Sequence, residues 1–151
     1  MKNTNEMELI FDSRSLNEGF ARVAVAAFMT QLNPTLEEVA DVKTAVSEAV
    51  TNAIIHGYEK EIEKVWIHCR IEDSVLYIEV ADKGKGIEDV EQALQPLYTT
   101  KPELERSGMG FSFIEAFMDE MQVESELGQG TLVKMRKVIG KGRELWTEQS
   151  L

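Results

Sequence analysis

The sequence is poor in cysteine and proline and has no long apolar run. Its 151 residues include one cysteine and three prolines. The single thiol, Cys69, can form neither an internal disulfide nor a cysteine-based metal or redox pair, and its place in an alternating run predicts a small buried side chain. The longest apolar stretches, such as residues 23–29, are far shorter than the roughly 20 residues that cross a bilayer. Residues 1–6 lack the apolar core of a signal peptide. These absences predict a cytoplasmic protein without a membrane partner.

Basic side chains are also scarce. The sequence has 16 of them and 27 acidic ones, which gives a net charge of −11. This charge repels nucleic-acid phosphates, so we expect no direct nucleic-acid partner. With 43% hydrophobic and 28% charged residues, the composition is that of a folded globule, and the length suits one domain. We predict a single domain over residues 1–139, followed by a polar tail over residues 140–151.

Hydrophobic periodicity and turn residues predict the order of the elements. Ser15 with Glu18, and Thr35 with Glu38, have the capping-box pattern that begins a helix. The predicted strands are 7–11, 65–71, 75–82, 122–127 and 131–138, and the predicted helices are 15–31, 35–57, 88–94 and 108–121. Strands and helices do not alternate as they do in parallel units. The order predicts an α+β, two-layer sandwich in which three helices cover one face of a mixed, mainly antiparallel sheet.

Three polar residues follow one stripe of the second long helix. Glu48, Asn52 and His56 are spaced by four, so they lie one turn above another. Two interpretations stay open. The stripe is either a solvated polar edge or a site in which Glu48 acts as a general base, Asn52 offers an oxygen to a hard cation such as Mg²⁺, and His56 lines the same site.

Two glycine-containing segments suggest close contact between backbone and ligand. Asp82 leaves a predicted strand directly before Gly84 and Gly86, where glycine permits a tight turn, although a plain loop explains the pattern as well. Gly108 and Gly110 begin a predicted helix, whose free N–H groups suit a phosphate. The chain has neither a P-loop nor the protein-kinase signature set, and no dinucleotide-binding unit stands near its start.

Taken together, these motifs resemble a known superfamily. Glu48 to Asn52, Asp82-x-Gly84-x-Gly86, Gly108-x-Gly110 and Gly130-Thr131 resemble, in order and spacing, the four boxes of the gyrase, heat-shock-90, histidine-kinase and MutL ATPases. Residues 20–23, 47–58 and 99–111 resemble, more closely still, the anti-sigma F factors of endospore-forming bacteria, which are serine-protein kinases. The resemblance covers nearly the whole chain and implies the Bergerat-type ATP-binding fold.

The resemblance implies ATP and Mg²⁺ as cofactors and assigns roles to the motif residues. It implies that Asn52 holds the metal, that Asp82 accepts the exocyclic amine of adenine, and that Thr131 helps to hold a bridging water. Glu48 would orient the acceptor hydroxyl as the catalytic base, and residues 95–107 would form a lid over the triphosphate. The other nucleotide-binding residues that it implies are His56, Gly84, Gly86, Thr99, Thr100, Lys101, Arg106, Ser107, Gly108, Met109, Gly110 and Phe111.

The resemblance also implies partners. The kinase would phosphorylate a serine of an anti-anti-sigma protein, and a homodimer would hold a sporulation sigma factor, sigma F, inactive. Arg22 is similar to the partner-docking arginine of the family, but an ordinary exposed helix residue explains it equally well. A histidine-kinase fragment is disfavoured, because His56 belongs to the nucleotide helix and His68 to an alternating strand. A stress-response switch kinase and a nucleotide-gated sigma-binding module without kinase activity stay as alternatives.

Overall fold

The computed structural model describes residues 3–58, 61–95 and 110–140. Five strands and four helices follow one another along these residues. Their bounds are β1 Thr4–Asp12, α1 Leu16–Met29, α2 Leu36–Asn52, β2 Lys64–Glu72, β3 Val75–Asp82, α3 Val90–Ala93, α4 Phe111–Phe117, β4 Glu120–Glu126 and β5 Gly130–Val138. A short 3₁₀ segment, Thr30–Leu32, extends α1, and a π-helical turn, Ala53–Gly57, extends α2.

The five strands form one sheet in the order β1-β2-β3-β5-β4. The prediction of an α+β sandwich is confirmed, but every pairing among the described strands is antiparallel, so the sheet is not mixed. Alternate residues of the central strands, such as Ile67 and Ile78, are fully buried and join Val46 and Val50 of α2 in one apolar core. The intervening residues of β2 and β3 are partly exposed on the opposite face. One face of the sheet therefore carries the core, as the alternating pattern predicts.

The two predicted capping boxes have different outcomes. Thr35 has the predicted box. Its hydroxyl accepts from the Glu38 N–H at 3.1 Å, and the Thr35 backbone N–H donates to the Glu38 carboxylate at 2.9 Å. The prediction for Ser15 is wrong, since this residue already has helical angles (φ −59, ψ −29) and its side chain makes no capping bond. Asn17 acts at this end instead, donating its side-chain amide to the Asp12 carbonyl at 2.9 Å.

The predicted helix over residues 108–121 is too long. Its described part, α4, ends at Phe117, and β4 begins at Glu120. Pairing with β5 explains the early end, because Met121 lies opposite Met135 in the sheet and therefore needs an extended backbone. Residues 96–109 and 141–151 lie outside the described residues, so the lid and the domain boundary at residue 139 stay predictions. Within the described ranges, no helix has both the length and the apolar character to cross a membrane.

Candidate functional site

A cavity lies where α2 ends beside β3 and β5. Its volume is about 670 Å³, within the range of small-molecule sites in proteins. Residues from both hairpins and from the ends of α2 and α4 line it, so it exists only in the folded sandwich. The predicted site residues that line it are Asn52, His56, Asp82, Gly86, Gly110, Phe111 and Thr131. Several lining residues were not predicted, among them Ala53, Lys85, Ile87, Gln92 and Leu127.

Asp82 is a charged side chain in an almost closed setting. It is the last residue of β3, lies opposite Thr131 of β5 and is only 8% exposed. The Gly84 N–H donates to its Oδ1 at 2.9 Å, and the Thr131 N–H also donates to the carboxylate. Burial raises the pKa of Asp82 from 3.8 to about 6, although the two N–H bonds oppose the rise. The site therefore offers a poorly solvated acceptor to any ligand that carries N–H groups.

Glycines allow two chain segments, the end of α2 and the loop after β3, to meet beside this carboxylate. A Cβ added to Gly57 would lie 2.9 Å from the Asp82 carboxyl carbon, and one added to Gly84 would overlap the Gly57 carbonyl. The Lys85 N–H donates to that same carbonyl at 3.0 Å. Larger side chains would thus separate the end of α2 from the loop that follows β3.

The end of α2 carries the predicted polar stripe. Asn52 and His56 line the cavity, whereas Glu48, one turn earlier and half-buried, is not part of the lining. The side-chain nitrogen of Asn52 is buried without a hydrogen-bond partner. The π-helical turn begins directly after Asn52 and widens the helix at the cavity wall, as such turns often do at functional sites.

The Asn52 amide is a group that could hold a metal ion. The buried end of the amide is its nitrogen, so its oxygen is the end that can face the cavity, which Asn52 lines. Mg²⁺ typically takes one or two protein oxygens and completes its shell with water and phosphate. Among the residues that the structure describes, no group of three or more His, Cys, Asp or Glu side chains could hold a metal. A single carboxamide in the lining of this cavity is compatible with that pattern.

The sequence analysis missed two hydroxyl groups near the cavity, the buried one of Tyr58 and the half-buried one of Ser125. The Tyr58 hydroxyl donates to the Lys64 carbonyl at 2.7 Å and accepts from the Lys83 N–H at 2.6 Å. Burial is the main reason that the pKa of Tyr58 is raised. Ser125 of β4 bonds to both the loop after β3 and the start of β5. The sequence does contain a sign of Ser125. Met121 and Val123 of β4 pack against the core, and Ser125 is a polar residue at the next position on the same face of the strand.

The remaining predicted residues lie elsewhere. Gly84 supports Asp82 without lining the cavity. Arg22 does not line the cavity either. Its Nε is buried without a partner, and its Nη1 lies 3.8 Å from Glu18 on the same helix. Seven predicted residues lie outside the described part of the chain, namely Thr99, Thr100, Lys101, Arg106, Ser107, Gly108 and Met109.

Several known proteins are similar to this chain in sequence. The profile of the histidine kinase-like ATPase domain family matches residues 12–137. The anti-sigma F factor of Caldanaerobacter subterraneus subsp. tengcongensis is 60% identical over 143 residues, which are 95% of this chain and 100% of that protein. The anti-sigma F factor of Bacillus subtilis is 54% identical over 142 residues, which are 93% of this chain and 97% of that protein.

Solved structures agree at the level of the fold. The RsbU and RsbW domains of Rv1364c from Mycobacterium tuberculosis superpose with a TM-score of 0.65 at 16% identity, over 89% of this chain and 32% of that one. A histidine kinase domain from Erythrobacter litoralis EL346 gives a TM-score of 0.54 at 17% identity, over 85% of this chain and 64% of that one. The profile and the full-length relatives identify an ATP-binding domain. The chain belongs to the histidine kinase-like ATPase domain family and, within it, to the anti-sigma F factors.

Proposed function

We propose that this protein binds and inhibits the sporulation sigma factor sigma F, and that it uses Mg²⁺-ATP to phosphorylate a serine of its anti-anti-sigma protein. The observation that carries the proposal is the buried Asp82 carboxylate on the wall of a nucleotide-sized cavity, in a chain whose relatives are anti-sigma F factors. A sigma-factor partner would place the protein in the cytoplasm.

Adenine fits the chemistry around Asp82. The ionised carboxylate accepts hydrogen bonds only, and the exocyclic amine of adenine is a donor. Gly86 has a φ of +76, and a Cβ there would overlap the Glu126 carbonyl, so the loop beside the base requires glycine. Thr131 lies opposite Asp82 and places a second oxygen on the same wall. We assign these three residues to the base.

Asn52 and Glu48 would serve the reaction end of the nucleotide. Asn52 would contribute an oxygen to Mg²⁺, whose charge stabilises the phosphates during transfer. Glu48, one helical turn away, would orient the serine hydroxyl and take its proton, while Asn52 and His56 line the cavity. The phosphate-binding roles of residues 106–111, and the lid, rest on the family resemblance.

The first helix would meet the protein partners. Leu16, Phe20 and Val23 are 89%, 53% and 58% exposed and follow one another at helical spacing. Such an exposed apolar stripe indicates an interaction surface. Arg22 lies beside it with a partly exposed guanidinium group, which suits a carboxylate on a partner. We assign this surface to docking and to homodimer contact.

The test is phosphotransfer by the purified protein. With γ-labelled ATP, Mg²⁺ and a candidate anti-anti-sigma protein, we expect label on one serine of the acceptor. Glu48→Gln should retain ATP binding and lose transfer, whereas Asn52→Ala should weaken the Mg²⁺-ATP complex itself. Glu37→Gln, at an exposed glutamate in the first turn of the same helix, is the matched control and should transfer normally.

Each alternative has its own outcome. Transfer by Glu48→Gln at the parental rate would show that the base assignment is wrong. ATP binding and sigma-factor capture without any transfer would favour the nucleotide-gated binding module. Transfer to an acceptor of a stress-response pathway, together with failure to bind sigma F, would favour the related switch kinase.

A further inference from the structure

Ser125 joins the two segments that form the base-binding wall. Its hydroxyl accepts from the Ile87 N–H at 2.7 Å, lies 2.9 Å from the Gly130 carbonyl oxygen and lies 2.8 Å from the Thr131 hydroxyl. Ile87 belongs to the loop after Asp82, and Gly130 and Thr131 begin β5. One small side chain therefore holds the loop and the strand on either side of the cavity wall.

The hydrogens of this cluster can be counted. A serine hydroxyl has one hydrogen and accepts through its lone pairs. The Gly130 carbonyl only accepts, so the Ser125 hydrogen points to it. The Ile87 N–H only donates, so it occupies one lone pair of Ser125. The bond between the two hydroxyls then has one possible direction, in which Thr131 donates and Ser125 accepts.

We propose that Ser125 is a positioning residue for nucleotide selectivity, because it takes the hydroxyl hydrogen of Thr131 and so makes Thr131 present only lone pairs to the cavity. The inference rests on the proposed binding of adenine beside Asp82. Asp82 and Thr131 then present only hydrogen-bond acceptors to this side of the cavity. A purine whose 6-substituent donates hydrogen bonds matches this wall, directly or through water.

The same wall rejects guanine. Its 6-oxo group is an acceptor and finds no hydrogen at Asp82 or Thr131. Without the Ser125 hydroxyl, the Thr131 hydroxyl is free to rotate and to donate into the cavity, which would satisfy a 6-oxo group. Ser125 thus acts on selectivity through Thr131, although it is not itself among the cavity-lining residues.

The test compares ATP and GTP binding by the full-length protein, measured by calorimetry with Mg²⁺. For Ser125→Ala we expect the ratio of GTP to ATP dissociation constants to fall about 5- to 10-fold, the effect of one mispaired hydrogen bond. Ser125→Thr restores the hydroxyl and should recover most of the ratio. Ser13→Ala is the matched control, because the buried Ser13 hydroxyl also accepts a backbone N–H, from Glu63 at 3.0 Å, but does not line the cavity.

A double substitution makes the test specific to Thr131. Thr131→Val lacks the hydroxyl, so adding Ser125→Ala to it should change the ratio no further. A Ser125→Ala protein that binds both nucleotides more weakly at an unchanged ratio would overturn the inference and show a purely structural role. Failure of the parental protein to bind ATP would instead overturn the proposed function. If Ser125→Ala does not fold, Ser125→Cys replaces it, because a thiol is only a weak hydrogen-bond acceptor and the ratio should fall in the same direction.

Discussion

Replacing Asp82 by asparagine should make the nucleotide-free protein more stable while weakening ATP binding. Burial raises the pKa of Asp82 from 3.8 to about 6, and one pKa unit corresponds to about 1.36 kcal/mol. Keeping this carboxylate ionised at pH 8 therefore costs the folded state about 3 kcal/mol. Asparagine avoids that cost, but its amide has one acceptor oxygen where the carboxylate has two, so we allow a loss of about 1 kcal/mol in the bonds from the two backbone N–H groups. We expect a net gain of about 1 to 2 kcal/mol at pH 8.

The gain should depend on pH in a defined direction. Because the folded pKa of Asp82 is higher than the unfolded one, the folded parental protein binds the proton more tightly. The stability that the parental protein gains from protonation of Asp82 is therefore complete below about pH 4 and is lost as the pH rises through 6. Between pH 7 and pH 5 the free energy of unfolding of the parental protein should rise by about 1.4 kcal/mol relative to the variant.

Urea unfolding of the nucleotide-free proteins at several pH values between 5 and 8 measures this difference. Other titrating groups cancel, because both proteins contain them. Asp73→Asn, at an exposed position in the turn between β2 and β3, is the matched control and should show no such difference. Parallel pH profiles for the parental protein and Asp82→Asn would refute the reasoning. Unchanged ATP affinity in Asp82→Asn would separately refute the assignment of this carboxylate to adenine.

Two further substitutions test the packing around the site. Tyr58→Phe removes a hydroxyl that bonds to two backbone groups, the Lys64 carbonyl and the Lys83 N–H. We expect the free energy of unfolding to fall by about 1 to 3 kcal/mol and ATP to bind more weakly. Thermal unfolding with and without ATP measures both effects. Gly84→Ala should abolish ATP binding in a titration, since its Cβ overlaps the Gly57 carbonyl. Gly128→Ala, where φ is +82 and the space is open, should cost only about 1 kcal/mol and keep the affinity.

Local patterns predicted the elements whose causes are local. The Thr35 and Glu38 pair lies within one helical turn, and the structure has the predicted capping box. Alternation predicted both hairpins, because their inward residues form the core. Ser15 has the same spacing to Glu18 and fails, since the helical angles at Ser15 and the Asn17 contact with Asp12 replace the cap. A matching pattern does not fix the backbone angle on which a cap depends.

The candidate site was predictable only in part. Asn52, Asp82 and Thr131 could be selected from motifs, and all three line the same cavity. The alternation of β4 marks Ser125 as an inward-facing residue, but its role could not be predicted, because the sheet and the loop after β3 bring its partners Ile87, Gly130 and Thr131 together. The early end of α4 has the same origin, since pairing of Met121 with β5 overrides a helical pattern.

The contact between β3 and β5 joins chain segments that are far apart in sequence, and it places Asp82 opposite Thr131. Pairings of this kind carry the largest loop-closure entropy and slow folding, whereas the β2–β3 and β4–β5 hairpins are local. We therefore expect the cavity to be completed late, after the hairpins have formed. A nucleotide bound across this contact would stabilise interactions absent from the transition state. ATP would then slow unfolding and leave the refolding rate nearly unchanged, so that it prolongs the lifetime of the folded protein.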